Sequence, residues 1–328
     1  MKIAEGLFDF NISEFDARAL EIFRFQVKYN PVYQRYVELL GINANKVLHI
    51  TDIPFLPVGF FKSHKVVCGA FDPQAIFESS GTTGSFNSRH YVKDLGLYKM
   101  SFMQGFRKFY GEPRDWCIIG LLPSYLERQH SSLVFMVDAL IRETGITASG
   151  FYLYEHDALR RQLEQLEQCG QKTLLIGVTF ALLDFAEKQD MRLEHIVVME
   201  TGGMKGRREE LTREQVHQLL TNKLGVKQVH SEYGMTELLS QGYSKGEGLF
   251  YCSDTMKILV RDEDDPLQVQ VAGGQTKRGI INVIDLANIF SCSFIATEDA
   301  GKLYPDGSFE VTGRVDNSDI RGCTLMVV

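Results

Sequence analysis

The sequence predicts an α/β fold: mostly parallel sheets covered by helices, followed by a smaller antiparallel β region. Three observations carry this. Between about residues 117 and 230, apolar runs of strand length alternate with amphipathic helical stretches. That is the rhythm of a parallel sheet with helices on its faces. After residue 247 the helical periodicity stops, and short β-rich runs are separated by turns. The chain is also 44% hydrophobic and 23% charged over 328 residues, enough to bury a large core. The expected organisation is an α/β core with N-terminal helices over 1–246 and an antiparallel β subdomain of the same domain over 247–312. A hinge-like motif and short tail follow over 313–328.

Taken in order, residues 13–28 form a helix with Phe15, Ala19, Ile22, Phe23 and Val27 on its apolar stripe. Ser13 and Asp16 stand at capping-box spacing. A second helix follows Asn30-Pro31, with Val32, Tyr36, Leu39 and Leu40 inward and Gly41 ending it. Residues 53–62 are an apolar, proline-interrupted connector. A helix occupies 94–110, and 117–122 is a buried strand closed by Pro123. Then come a helix at 132–143, a strand near 149–154, and a helix marked by Leu159, Leu163 and Leu166. A strand at 173–178, a helix at 181–188 and a strand at 195–199 continue the alternation. A charged helix at 209–223 and a strand at 226–230 complete it, and 250–260, 267–272 and 279–284 are the strands of the antiparallel region.

Composition excludes several classes. With 35 basic against 42 acidic residues and a net charge of −7, no basic face for nucleic acid is expected. No apolar run reaches membrane-spanning length and the N-terminus lacks an apolar leader core, so a cytoplasmic protein without membrane insertion is the expectation. The six cysteines are scattered, without a Cys-x-x-Cys pair, as befits free thiols in a reducing compartment.

Three separated stretches carry chemistry. The first is Ser79-Ser80-Gly81-Thr82-Thr83-Gly84, following the apolar pair Ile76-Phe77. Its glycines permit close backbone approach, and its hydroxyls and N–H groups suit a phosphate or an oxyanion. A polar surface turn is the plainer alternative. A P-loop is excluded because the Gly-Lys-Ser/Thr ending is missing. The second is Tyr233-Gly234-Met235-Thr236-Glu237, preceded by the loop Glu200-Thr201-Gly202-Gly203-Met204-Lys205-Gly206. The third is Asp299, followed by Asp306-Gly307 and Gly313-Arg314-Val315-Asp316. His130 follows the 117–122 strand at its C-terminal end, where parallel sheets bind ligands. It reads either as a substrate-binding residue or as a cap.

In this order the three motifs resemble the adenylate-forming superfamily of acyl-CoA synthetases, luciferases and nonribosomal adenylation domains. The resemblance implies the large N-terminal domain of such an enzyme. Ser79, Ser80, Gly81, Thr82, Thr83 and Gly84 would then cradle ATP phosphates. Gly202, Gly203 and Gly234 would admit the nucleotide, with Gly203 also beside the substrate. Tyr233 would stack on adenine, Thr236 bind the α-phosphate, Glu237 hold Mg²⁺, Asp299 take the ribose hydroxyls, and Arg314 neutralise charge. ATP and Mg²⁺ are the implied cofactors and a carboxylic acid the substrate.

Two departures narrow the group. The Pro-Lys that ordinarily follows the phosphate loop is replaced by Phe86-Asn87-Ser88-Arg89-His90, which makes Arg89 the available cation. The chain stops soon after Arg314, without the superfamily's mobile C-terminal domain and its lysine. A shortened chain with Cys323 near its end is similar to the acyl-protein synthetases of the LuxE type, as are the 123–133 stretch and the Gly202-Gly203-x-Lys205-Gly206 loop. That resemblance implies adenylation of a fatty acid and transfer to Cys323 and then to an acyl-acceptor protein, such as a reductase or carrier. Neighbouring Arg321 would favour the thiolate. Two alternatives stay open: an acyl- or aryl-CoA ligase like the phenylacetate type, and a non-catalytic nucleotide- or acyl-binding homologue. Cys323 itself reads either as the acyl carrier or as a packed thiol ahead of the apolar 324–328 run.

Overall fold

The computed structural model describes residues 2–79, 87–122, 130–152, 154–202 and 211–315. The N-terminal helices are α1 (Phe15–Tyr29) and α2 (Pro31–Leu39), with Asn30 capping α2 by accepting from the Val32 and Tyr33 amides. The cap ahead of α1 lies earlier than Ser13. The Asn11 side chain accepts from the Ser13 amide while Glu14 reaches back to the Asn11 amide. The inward face of α2 is also rotated from expectation. Tyr33 and Val37 are buried, whereas Leu39 is 68% exposed. The Tyr33 hydroxyl donates to the Pro54 carbonyl at 2.6 Å, and that bond, closed by the proline-rich connector, sets which face turns inward.

That connector supplies β1 (Leu56–Pro57) and the one-turn helix α3 (Phe60–Ser63). A hairpin of β2 (Ala75–Glu78) and β3 (Arg89–Val92) leads into α4 (Leu95–Tyr110). The alternating region then runs β4 (Cys117–Leu121), α5 (Ser132–Thr144), β5 (Gly150–Tyr152), α6 (His156–Gln168), β6 (Thr173–Gly177), α7 (Thr179–Ala186), β7 (Ile196–Glu200), α8 (Arg213–Leu224) and β8 (Val229–Tyr233). Next come β9 (Gly242–Ser244), β10 (Tyr251–Cys252), β11 (Met256–Arg261), β12 (Val269–Gln270), β13 (Lys277–Asp285), β14 (Phe294–Leu303) and β15 (Phe309–Arg314). No described helix is long and apolar enough to cross a membrane.

Two larger sheets result among the described residues. The first has the order β10-β9-β8-β7-β6-β4-β5, parallel from β5 through β8 and antiparallel at β9 and β10. Its parallel strands are apolar because both faces are covered, by α6, α7 and α8 on one side and by α4 and α5 on the other. The second sheet joins β12, β11, β13, β14 and β15 antiparallel, and β1 adds to β14 in parallel. The expected 250–260 strand is therefore two strands in different sheets, β10 and β11, divided at the turn through Ser253 and Asp254.

The N-terminal helices close onto the second sheet through buried amides. Gln26 Nε2 donates to the Asn288 and Ile289 carbonyls at 3.0 and 3.1 Å, and Asn30 Nδ2 donates to the Ser291 carbonyl at 2.9 Å. Buried polar groups are stable when paired in this way. The ties fix the Leu286–Asn288 turn, which underlies the site described next.

Candidate functional site

Strand β8 begins three residues later than its sequence pattern suggests, at Val229, and ends at Tyr233. Ser231, Glu232 and Tyr233 thus belong to the strand, because Glu232 and Tyr233 pair with Tyr243 and Gly242 of β9. Side chains alternate across a strand. Tyr233 faces the second sheet, with its ring 5.4 Å from that of Phe309 and 6.1 Å from that of Phe250.

The Tyr233 hydroxyl donates to Asp299 Oδ2 at 2.9 Å, and Arg314 Nε donates to Asp299 Oδ1 at 3.1 Å. Asp299 and Arg314 are direct cross-strand neighbours on β14 and β15. Burial pushes the Tyr233 phenol well above its ordinary range, and the adjacent Asp299 charge adds to this. Burial works against the Arg314 charge, but the carboxylate beside it raises the guanidinium pKa on balance. Three residues far apart in sequence therefore meet at one carboxylate.

Thr236 and Glu237 follow β8 on a loop fixed from below. His90 Nδ1 lies 2.9 Å from the Thr236 carbonyl and its Nε2 lies 3.0 Å from Asn288 Oδ1. Asn288 Nδ2 in turn donates to the Glu237 carbonyl at 2.8 Å and the Cys292 carbonyl at 2.9 Å, which fixes its amide orientation. Both imidazole nitrogens face oxygen acceptors, so the neutral ring can donate to only one. Burial nevertheless dominates and lowers the His90 pKa to about 4, against the pull of those two oxygens. The Glu237 side chain is 6% exposed; burial raises its pKa, opposed by a hydrogen bond with Ser88. Among the described residues no cation pairs directly with this carboxylate, and its hard oxygens are of the kind that could hold a Mg²⁺.

Strand β7 ends at Glu200, which secures the following turn. Glu200 Oε2 accepts from the Gly202 amide at 2.7 Å and the Thr179 hydroxyl at 3.0 Å. Arg213 and His217 stand 3.8 and 3.7 Å from Oε1. Burial alone would raise this carboxyl, but the hydrogen bonds of His217, Ser231 and Gly202, with the Arg213 charge, bring it down to about 2. Gly202 has φ +72°, a conformation that favours glycine.

The Ser79 hydroxyl accepts from the Ser88 amide at 3.0 Å and the Ser79 amide donates to the Ser88 carbonyl at 3.1 Å, extending the β2–β3 hairpin. His130 packs beside that hairpin, with Nδ1 3.1 Å from the Ile76 carbonyl and its own carbonyl accepting from the Glu78 amide. Arg89 is not a free cation. It pairs across the hairpin with Glu78 at 3.2 Å, because the register sets the two opposite each other. Ser80, Gly81, Thr82, Thr83, Gly84, Gly203 and Cys323 lie outside the described residues.

The structure thus brings together Tyr233, Asp299 and Arg314, with Gly234, Thr236 and Glu237 following directly on β8. His130 stands apart, at the β2 hairpin. Sequence reasoning gave no role to Glu200, His90 or Ser88, which it named only within longer stretches, and missed Asn288. The one available signal was polar residues embedded in apolar strand runs, and it names no partner.

This sheet arrangement, with the Tyr-Gly-x-Thr-Glu segment leaving β8, is the fold of the large domain of adenylate-forming enzymes. An open conformation of 2-hydroxyisobutyryl-CoA ligase, solved with 2-HIB-AMP and CoA, matches with a TM-score of 0.68 at 14% identity. That match covers 93% of this chain and 71% of the ligase. ATP-bound MatB from Rhodopseudomonas palustris matches at 0.52 with 21% identity, over 75% of this chain and 49% of MatB. The AMP complex of O-succinylbenzoate coenzyme A synthetase (MenE) from Bacillus subtilis matches at 0.50 with 18% identity, over 74% and 49%. The chain spans about half the length of the last two. It belongs to the acyl-protein synthetase family, LuxE, whose profile matches residues 11–328. No curated relative matches the sequence.

Proposed function

We propose that the protein is an ATP-dependent acyl-protein synthetase. A substrate carboxylate oxygen attacks the α-phosphorus of ATP; an O–P bond forms and the bond to pyrophosphate breaks, leaving acyl-AMP. The thiolate of Cys323 then attacks the acyl carbon, forming a thioester and expelling AMP, and the acyl group passes on to a thiol of a partner protein such as a reductase or carrier. The acid is of the fatty type, and the setting is the cytoplasm.

The observation that carries this reading is the meeting of Tyr233 and Arg314 on Asp299. Both partners of this carboxylate are side chains, so ribose hydroxyls can replace them without unfolding a strand. Tyr233 would give its ring to adenine, Thr236 its hydroxyl to the α-phosphate and Arg314 its charge to the nucleotide. Gly202, held by Glu200, Gly203 and Gly234 would leave room for the nucleotide, and the 79–84 segment would supply donors to the phosphates. His130 would line the acid's entry. Glu237 would hold Mg²⁺, which when bound neutralises phosphate charge. His90 and Asn288 position the Thr236-Glu237 peptide from beneath.

The test is intact mass after incubation with ATP, Mg²⁺ and straight-chain acids of graded length, on wild type and Cys323→Ser. A hydroxylamine-labile acyl adduct on wild type alone is expected. Turnover with free CoA and no adduct would favour the CoA-ligase alternative. No adenylation with any acid would leave a binding protein.

A further inference from the structure

The candidate site draws on both larger sheets. Tyr233 and the turn at Gly202 belong to the first, Asp299 and Arg314 to the second. At the site itself the sheets are joined by the Tyr233 hydroxyl on Asp299 at 2.9 Å. The proposed function gives that carboxylate to the ribose, so this tie is released as the nucleotide binds. Another contact must then hold the sheets at the right spacing.

Arg213, the first residue of α8, also spans the two sheets. Its Nε stands 3.8 Å from Glu200 Oε1 at the end of β7, and its Nη1 donates to the Val311 carbonyl of β15 at 3.0 Å. The guanidinium lies over the Phe250 ring, 5.1 Å from its centre. Phe250 in turn exchanges two backbone hydrogen bonds with Phe309, at 2.8 and 2.9 Å, where β15 begins. Glu200 holds the Gly202 amide, and β15 ends at Arg314, three residues beyond Val311. One side chain is thus tied to both elements that flank the nucleotide position. A planar fork suits this task, because its donors leave in different directions while its face packs on a ring.

We propose that Arg213 is a positioning residue for nucleotide binding: a strut from Glu200 to Val311 that keeps the two sheets at nucleotide width once Asp299 exchanges Tyr233 for the ribose. The inference rests on the adenylation reading. Without the strut the binding-competent spacing is populated only a fraction of the time. Affinity then falls by that fraction, while chemistry in the bound state is preserved. The loss therefore appears in nucleotide KM and not in kcat.

The test is AMP binding by calorimetry together with pyrophosphate exchange, on wild type, Arg213→Met, Arg213→Lys, Glu200→Gln and the Arg213→Met/Glu200→Gln double variant. Methionine keeps the contact with the Phe250 ring but has no donor. Glutamine keeps an acceptor for the Gly202 amide but loses the charge that faces Arg213. In Arg213→Met the Kd for AMP and the KM for ATP should rise about tenfold, on the scale of one charge-assisted hydrogen bond. The kcat and the KM for the acid should stay within about threefold of wild type. Lysine remakes one bond at a time, so Arg213→Lys should fall between. In the Glu200→Gln background Arg213→Met should add less than about threefold, since the strut is already cut at one end. Wild-type affinity for AMP in Arg213→Met overturns the strut. So does full additivity with Glu200→Gln, or a kcat loss as large as the KM rise, since either marks a general packing role. All three results leave adenylation standing. If wild type neither binds AMP nor exchanges pyrophosphate, the adenylation reading fails and takes the strut with it.

Discussion

Asp285 and Asp299 sit on neighbouring strands of the same sheet, and their surroundings differ in kind. Asp285 is fully buried and accepts four hydrogen bonds: from the Leu239, Ser240 and Ala287 amides and the Ser240 hydroxyl, at 2.6 to 3.1 Å. Burial raises its pKa, opposed by those bonds. Asp299 is 8% exposed, and its carboxylate is held by two side chains, Tyr233 and Arg314. Backbone donors cannot leave without local unfolding, whereas side-chain donors can rotate away. The first carboxylate therefore builds the loop after β8, and the second is available for exchange with a ligand.

The comparison can be broken most directly at Asp285. Asp285→Ala leaves three amides unpaired in the core, the Ser240 hydroxyl keeping Ser101 and Thr255, and should lower unfolding free energy by about 3–5 kcal/mol in urea titration. A loss below about 1 kcal/mol would mean that the network is not structural. Asp299→Ala should do the reverse. Pyrophosphate exchange should fall about 10³-fold, with unfolding free energy lowered by only about 1–2 kcal/mol, since a single buried donor, the Tyr233 hydroxyl, loses its partner while Arg314 is half-exposed. If stability falls as far as in Asp285→Ala, the distinction collapses.

A third prediction concerns pH. Unfolded His90 binds its proton near 6.5, the folded form near 4. Between these values the unfolded state holds more protons, so stability is intact above pH 6.5 and lost as pH falls toward 4, by up to about 3 kcal/mol. His230, bonded to the Tyr110 hydroxyl and also lowered to about 4, acts in the same sense. Comparing unfolding free energies at pH 7 and pH 4.5 for wild type and His90→Gln isolates the His90 share; equal acid sensitivity in both would refute it. The smallest effect belongs to Arg89→Ala. Its partner Glu78 is across an exposed hairpin, and double-mutant cycles should find less than about 1 kcal/mol of coupling.

Much of the fold was legible because its signals are local. Helix α6 follows from Leu159, Leu163 and Leu166 recurring at helical spacing, and all three are buried. Strands β4 and β6 follow from continuous apolar runs. The motif residues of the candidate site were legible too, since Tyr233, Glu237, Asp299 and Arg314 stand in recognisable short patterns. The face of α2 was not, because a hydroxyl bond to a distant carbonyl chose it. Arg89 was misread as a free cation because hairpin register is a pairing property.

The sequence by itself determined the element types of the alternating region, the order of the motifs and the family, since each depends on residues within a few positions of one another or on their order along the chain. The tertiary structure alone decided that Tyr233 and Arg314 share Asp299 and that His90 and Asn288 clamp the Thr236-Glu237 peptide. Hydrogen-bond satisfaction in a core is settled by which distant groups packing brings within about 3 Å, and no local pattern encodes that.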